Sequence, residues 1–355
     1  MTGKVLLALA VVASTVTATS VYLMADNDGR FAWGHAGTAA PPAVAAPTTT
    51  TLQQSTPAAP APLNPETAAL GAALSVVADQ YEQTVRYPPY SIPLTPAQAA
   101  AYDGNTYHPV GLPLEGGGHF TVSLDRYRFT RGDDIVVVAT LDGPQVVGQT
   151  LTATLEHQPD RKTAGSARLT ATGDGYFEGV LSSDEDPGEY HLIVEAQVDG
   201  QPVRHASTLT IEPELGDFGG LDDPYVSNNN LVIPVEFSPD HSGTYALSAQ
   251  LYNGTTPIAQ LQEEQAMSSG KGTFKLRAHG TVLANQTVSG QLQLRNLMVR
   301  ELPERPGDRT HYGYGPEDGY RFTPPDLDAL SDTPAANPES ALRAQMLRQL
   351  AGKFR

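Results

Sequence analysis

The stretch Asp186-Pro187-Gly188-Glu189-Tyr190-His191-Leu192-Ile193-Val194-Glu195-Ala196-Gln197-Val198 decides the fold class. Pro187-Gly188 is turn chemistry: proline presets one backbone angle, and glycine accepts conformations that side chains resist. From Leu192 the apolar residues fall at every second position, at Val194, Ala196 and Val198. That is the period of a strand with one face on a core. Asp199-Gly200 supplies the next turn signal.

The same period spreads outward in both directions. Upstream, from Phe120, it runs through Ile135, Val137, Ala139 and Leu141, then Leu151, Ala153 and Leu155, punctuated by Asp142-Gly143-Pro144 and Gly173-Asp174-Gly175. Downstream, Leu231, Ile233, Val235 and Phe237 alternate, followed by Tyr245, Leu247, Ala249 and Leu251. Phe274, Leu276 and Ala278 come next, then Val288, Gly290, Leu292 and Leu294. Tyr320 and Phe322 read as a closing strand after a loop, Pro303–Asp318. Short alternating strands separated by turns predict antiparallel sandwiches. The chain is therefore expected to be all-β, with two tandem β-sandwiches at 118–213 and 224–324. Pro213–Asp223, short, acidic and Gly-rich, reads as the connector.

Asp186-x-Gly188-x-Tyr190-x-Leu192 resembles the tyrosine corner of immunoglobulin-like domains, with Leu192 where that family has a cysteine. The resemblance implies a Tyr190 hydroxyl bonded to upstream backbone and a Leu192 side chain in the core. An ordinary β-turn before a strand is the other reading. In the second block, Gly243-Thr244-Tyr245-Ala246-Leu247, Gly254-Thr255-Thr256-Pro257-Ile258-Ala259 and Gln291-Leu292-Gln293-Leu294-Arg295-Asn296-Leu297 resemble an Ig-like module. Such modules occur in bacterial surface and secreted proteins of unassigned function, sometimes beside von Willebrand or protease domains. Gly175-Tyr176-Phe177, with Pro187–Tyr190 and Ala196, is similar to the sandwich often found before that module. The resemblance covers about residues 118–325. It implies fold and location, and carries no catalytic residue.

The two ends read differently. After Lys4, Val5–Ala25 holds no charged residue, so residues 1–25 are expected to be a signal peptide or a membrane anchor. Asp26 and Asp28 follow, a charge bias that places the body outside the cytoplasm. Residues 26–64 are read as an Ala/Pro/Thr linker that stays extended. Asn64-Pro65-Glu66 is a helix start, and Leu70, Leu74, Val77, Tyr81 and Val85 recur at helical spacing until Pro88-Pro89. The rest of 65–117 reads as an extended strap on the first sandwich. Residues 325–355 give a polar loop and a tail helix from Asn337-Pro338, with Leu342, Met346, Leu350 and Phe354 on one stripe. Arg343, Arg348, Lys353 and Arg355 make that helix basic, suited to an anionic membrane, a partner or its own acidic body.

Composition narrows the function. The formal net charge is -17, which argues against nucleic acid as a partner. There is no cysteine, which removes disulfides, Cys-type zinc sites and thiol chemistry and points toward a bacterial chain. Arg131-Gly132-Asp133 leads straight into the strand at Ile135 and reads as turn chemistry before it reads as an integrin motif. Asp133-Asp134, Asp184-Glu185-Asp186 and Asp222-Asp223 match no calcium loop, and interdomain calcium near Asp222-Asp223 is unsupported. His119, His157, His191 and His205 form no metal pair. No catalytic, cofactor-binding or metal residue is assigned.

His311-Tyr312-Gly313-Tyr314-Gly315-Pro316 reads as a loop that tucks its rings over a sandwich or offers a contact surface. The expectation is a non-enzymatic envelope binding or scaffold protein, in the periplasm or on the cell surface. Its partners would be an envelope protein or glycan, and the membrane through the N-terminal segment. An assembly factor docking through the tail helix and a cryptic hydrolase are the alternatives.

Overall fold

The computed structural model describes residues 65–115, 117–143, 150–173, 175–335 and 337–354. The anchor or signal segment and the linker, together with Pro144, Asp174 and the glycine at 116, lie outside them. In chain order, α1 (Pro65–Val85), β1 (Ser91–Pro93) and α2 (Pro96–Ala100) come first. Then follow β2 (Gly111–Pro113), β3 (His119–Leu124), β4 (Arg128–Thr130), β5 (Asp134–Asp142), β6 (Thr150–His157) and β7 (Thr163–Gly173). β8 (Tyr176–Ser182), β9 (Gly188–Val198) and β10 (Gln201–Glu212) complete the first sheet system. The second holds β11 (Gly216–Leu221), β12 (Tyr225–Ser227), β13 (Asn230–Pro239), β14 (Gly243–Asn253), β15 (Thr256–Met267) and β16 (Gly272–His279). After α3 (Gly280–Leu283) come β17 (Leu292–Leu302), β18 (His311–Tyr314), β19 (Tyr320–Phe322) and finally α4 (Pro338–Gly352). Among the described residues strand predominates, arranged in several sheets, as the period-two runs imply.

The first system is one nine-stranded sheet in the order β2-β3-β5-β8-β7-β6-β9-β10-β4. β7 makes it continuous: Thr163–Thr170 pairs with β6, while Thr170, Ala171 and Gly173 pair with β8. The sheet folds over a core that includes Phe120, Val137, Leu155, Leu192 and Ile211. Phe120 on β3 meets His205 on β10 across that fold, ring centroids 5.5 Å apart.

The second system is two sheets with one core. β1-β15-β14-β17-β18 forms one, with β19 also on β17; β11-β13-β12, with β16 also on β13, forms the other. Phe237 sits at the centre, 5.8 Å from the rings of both Tyr245 and Phe274 and 5.2 Å from Phe218.

Several expectations change. Gly216–Leu221, read as part of a connector, is strand β11 on β13. The loop Pro303–Asp318 contains β18, paired with β17. Val288 and Gly290 precede their strand, which instead runs on to Leu302. The strap does not begin on the first system. β1 pairs with Ala259–Leu261 of β15, Tyr87 packs on the second core, and Arg277 lies 4.0 Å over the Tyr90 ring. Only afterwards does β2 join β3 of the first system. The residues from 86 to 118 have no apolar period to fix a partner, so tertiary contacts chose one.

Candidate functional site at the junction and the helix pair

Both corners of the fold are built alike. The Tyr190 hydroxyl donates to Asp186 O at 2.6 Å, and Leu192 two positions on is fully buried. The Tyr245 hydroxyl donates to His241 O at 2.9 Å, with Leu247 buried in the same place. Each hydroxyl reaches back four residues, which pins the turn against the start of its strand. The Gly243–Leu247 run carried the same signal as Gly188–Leu192, namely Gly-x-Tyr-x-Leu.

Between the two systems lies a polar junction. β4 pairs in parallel with the end of β10, Thr210 opposite Arg128 and Glu212 opposite Thr130. The strap closes this edge: Asn105 accepts from Arg128 N and donates to Arg128 O, both at 2.8 Å. The Arg128 guanidinium pairs with the Glu212 carboxylate, whose residue is only 1% exposed. It also stacks over Tyr127 at 5.0 Å and over Tyr312 of β18 at 4.2 Å. From the second system His311 brings Nδ1 to 3.3 Å from the other Glu212 oxygen. Arg309 reaches Glu189 at 3.7 Å beside them. Burial works against charge on Arg128, but Tyr127 and Glu212 overcome it and hold its pKa above the usual guanidinium value. Burial pushes the Tyr314 hydroxyl well up, Tyr127 and Glu212 adding to it. The His311–Pro316 stretch is thus the part of the second system that grips the first. A buried carboxylate is tolerated here because a cation and a second donor satisfy it.

A second polar tie holds the strap. Tyr107 donates to Ser207 Oγ at 2.7 Å, and that oxygen lies 3.3 Å from His205 Nδ1. His205 Nε2 is 2.7 Å from Val110 O, so the ring donates there and its Nδ1 is free to accept from Ser207. Serine, histidine and tyrosine meet in a clasp between strap and β10.

The two helices form a pair. Asn337 caps α4 by accepting from Ser340 N at 3.1 Å, and Pro338 takes the first turn, as the sequence implies. The tail helix lies on α1, not alone. Arg348 pairs with Glu82 and, at 3.7 Å, with Asp79. Ala344 and Ala351 are buried, facing Gly71 and Ala78, also buried. A methyl group on Gly71 would sit 2.7 Å from Phe354 O, so the backbones touch there and only glycine fits. Of the expected stripe, Leu342, Met346 and Leu350 are exposed and make no part of this seam, while Phe354 is half-buried. Of the three settings open to the basic helix, the structure shows it on acidic residues of its own chain. Arg86 anchors the pair to the second system by pairing with Asp332. A groove of about 860 Å³ runs along the Arg348 flank, lined by Asp79, Glu82, Gln83, Arg86, Ser340 and Gln345.

Arg131-Gly132-Asp133 is the β4–β5 turn: Arg131 Nε donates to Asp184 Oδ1 at 3.2 Å, and Asp133 Oδ2 accepts from Thr130 N at 2.9 Å. Gly132, at φ 92°, takes the left-handed conformation the turn needs. Asp186 belongs to the tyrosine corner, and Asp222 N donates to Pro234 O. Among the described residues no three His, Asp or Glu side chains converge to hold a metal. No helix among them is long and apolar enough to cross a membrane.

No protein-family model matches the chain, and no curated protein does. Among solved structures it is similar to a DUF4785 family protein from Legionella pneumophila, at 17% identity and a TM-score of 0.40, covering 60% of this chain and 57% of that one. It is also similar to Escherichia coli alpha-2-macroglobulin activated by porcine elastase, at 13% identity and 0.23, covering 59% and 20%. A third is the chicken interferon gamma receptor alpha chain, at 7% and 0.24, covering 54% and 93%. The chain spans little more than half the length of the Legionella protein.

Proposed function

We propose that this chain is a non-enzymatic scaffold of the bacterial cell envelope that holds two Ig-like units outside the cytoplasm for an envelope protein or glycan. The two matched tyrosine corners support the Ig-like reading of both sheet systems. The observation that supports the scaffold reading most is the strap: one segment gives a strand to β15 and then another to β3, so the two systems are sewn together before they are gripped at Glu212. A protein whose work is to fix two modules relative to each other gains from such a tie. The uncharged run Val5–Ala25 and the charge-free stretch after Arg30 supply an export signal and a spacer.

Fractionation of cells expressing the full chain, followed by crosslinking within the envelope, tests this. Recovery in the envelope with a reproducible protein or glycan adduct is expected. A chain that stays in the cytoplasm, or that hydrolyses an envelope substrate, ends the reading.

A second reading, an assembly factor of a membrane complex, draws on the helix pair. Because α4 lies on α1, docking would use both helices. Removal of Pro338–Arg355 should then release the body from its complex; a complex that survives the deletion sinks this version.

A further inference from the structure

The helix pair carries apolar surface that its own seam does not use. In α1 the seam is Gly71, Leu74 or Ser75, Ala78, Tyr81 or Glu82, and Val85; in α4 it is Ser340, Ala344, Leu347 and Ala351. Both sets repeat at three and four residues, the spacing of helices packed nearly along one another. Arg348, bonded to Asp79 and Glu82, marks one flank of this seam. At 100° per residue, Leu70 and Val77 fall on the opposite flank of α1, with the half-buried Leu74 and Tyr81 between them and the seam. On α4, Met346 and Leu350 turn toward that same flank, with Leu342 beside them. Leu70, Val77, Met346 and Leu350 are 47%, 45%, 66% and 47% exposed. Six of the eleven large apolar side chains exposed among the described residues lie on these two helices. A helix pair that carries an apolar flank beyond its own seam fits a bundle of more than two helices.

Charge indicates what completes the bundle. α1 carries Glu66, Asp79 and Glu82 and no base, whereas Pro338–Arg355 carries Glu339 against Arg343, Arg348, Lys353 and Arg355. The two cancel, so the pair is neutral in a chain of net charge -17. The body would repel a second copy; the helix pair would not. A two-fold axis along the apolar flank sets the acidic helix of one copy on the basic helix of the other, repeating the pairing already seen within the chain. An anionic bilayer would meet the acidic helix as well as the basic one.

We infer that the flank Leu70, Val77, Met346 and Leu350 is a self-association surface, through which two copies of this chain close a four-helix bundle. This deepens the scaffold reading and rests on it only for its use: a dimer would present four sheet systems from one helical hub.

The absence of cysteine makes the test direct, because the only thiols present are those introduced. In the full chain, Val77→Cys with Met346→Cys should give a disulfide-linked dimer under mild oxidation. Gln345→Cys, on the Arg348 flank, should not. Val77→Glu with Leu350→Glu should weaken the dimer at least about tenfold in sedimentation while leaving the melting of the sheet systems unchanged. No crosslink and a monomer mass for the parent chain overturn the inference. So does protection of the Val77→Cys thiol by anionic vesicles without dimer formation, which would assign the flank to lipid. A monomer that still fractionates with the envelope and finds its adduct would defeat the dimer and leave the scaffold standing.

Discussion

The two sheet systems share a corner and differ in how they close. In both, Gly-x-Tyr-x-Leu opens a strand, and the tyrosine hydroxyl is tied four residues back. In the first, β7 crosses from β6 to β8, so one continuous sheet wraps the core. In the second, the connection from β15 to β16 passes from one sheet to the other with no ladder joining them among the described residues. That crossing is held at the corner instead: Gly270 N donates to Pro239 O at 2.8 Å, and Ser269 N to Ser242 Oγ at 3.2 Å. The local motif therefore pins a turn to a strand and leaves closure undecided. Closure follows from whether a strand is long and polar enough to run across the open flank.

The strongest way to break the comparison is to separate the two systems. Glu212→Ala leaves the Arg128 guanidinium facing Tyr127 and Tyr312 without its carboxylate and removes the acceptor of His311. Breaking a buried pair from one side costs roughly 3–5 kcal/mol. Calorimetry should show one unfolding transition in the parent chain and two in the variant. A single transition, shifted by less than about 1 kcal/mol, would mean that the junction does not couple them.

A smaller effect sharpens the likeness of the corners. Tyr190→Phe and Tyr245→Phe each remove one hydroxyl donor and should cost about 1 kcal/mol. The second should cost more, because its corner also holds the β15–β16 crossing. Burial pushes Tyr245 up to about 12 and raises Tyr190 as well. Unfolded tyrosine ionises near 10, so above that pH the unfolded chain loses protons that the folded chain keeps. Stability should fall as pH rises from about 10 towards 12, and Tyr245→Phe should flatten that fall in denaturant titrations. An unchanged slope would mean that Tyr245 ionises freely in the folded chain.

The strands that face a core were legible because every second residue had to be apolar: β5, β6, β9, β13, β14 and β16 stand where the alternation runs. β7 was not, since most of its residues are exposed and its work is done by backbone bonds. β1 is short and its partner β15 lies far along the chain, while β18 pairs with the strand just before it but is built of tyrosine and glycine with no apolar alternation. Nothing local could name Glu212 as the partner of both Arg128 and His311. On α4 the sequence offered the largest apolar side chains as the packing stripe, while the structure buries Ala344 and Ala351. Close approach at Gly71 rewards small residues, and bulk was the wrong guide.

The smallest effect separates the systems by acid. His279 ends β16, caps α3 by accepting from Thr281 N, and has its Nδ1 2.9 Å from Thr281 Oγ1. Ser91 of β1 accepts from its backbone N at 3.0 Å. Burial lowers the His279 pKa below the ordinary histidine value. Below about 6.5 the unfolded chain then takes up a proton that the folded chain refuses, so stability falls as pH falls. The loss begins near the unfolded pKa and stops growing once pH drops under the folded one. His279→Asn keeps an oxygen for the cap and removes the titration, so it should spare the second system this part of its acid sensitivity. Hydrogen exchange on β16 and β17 at pH 7 and pH 5 reads the difference without disturbing the first system. Equal acid weakening of the variant and the parent would place the sensitive group elsewhere. If β16 is instead the strand that loosens, the two-sheet closure is the weaker of the two solutions, held at one end by a neutral imidazole where the first system has a bridging strand.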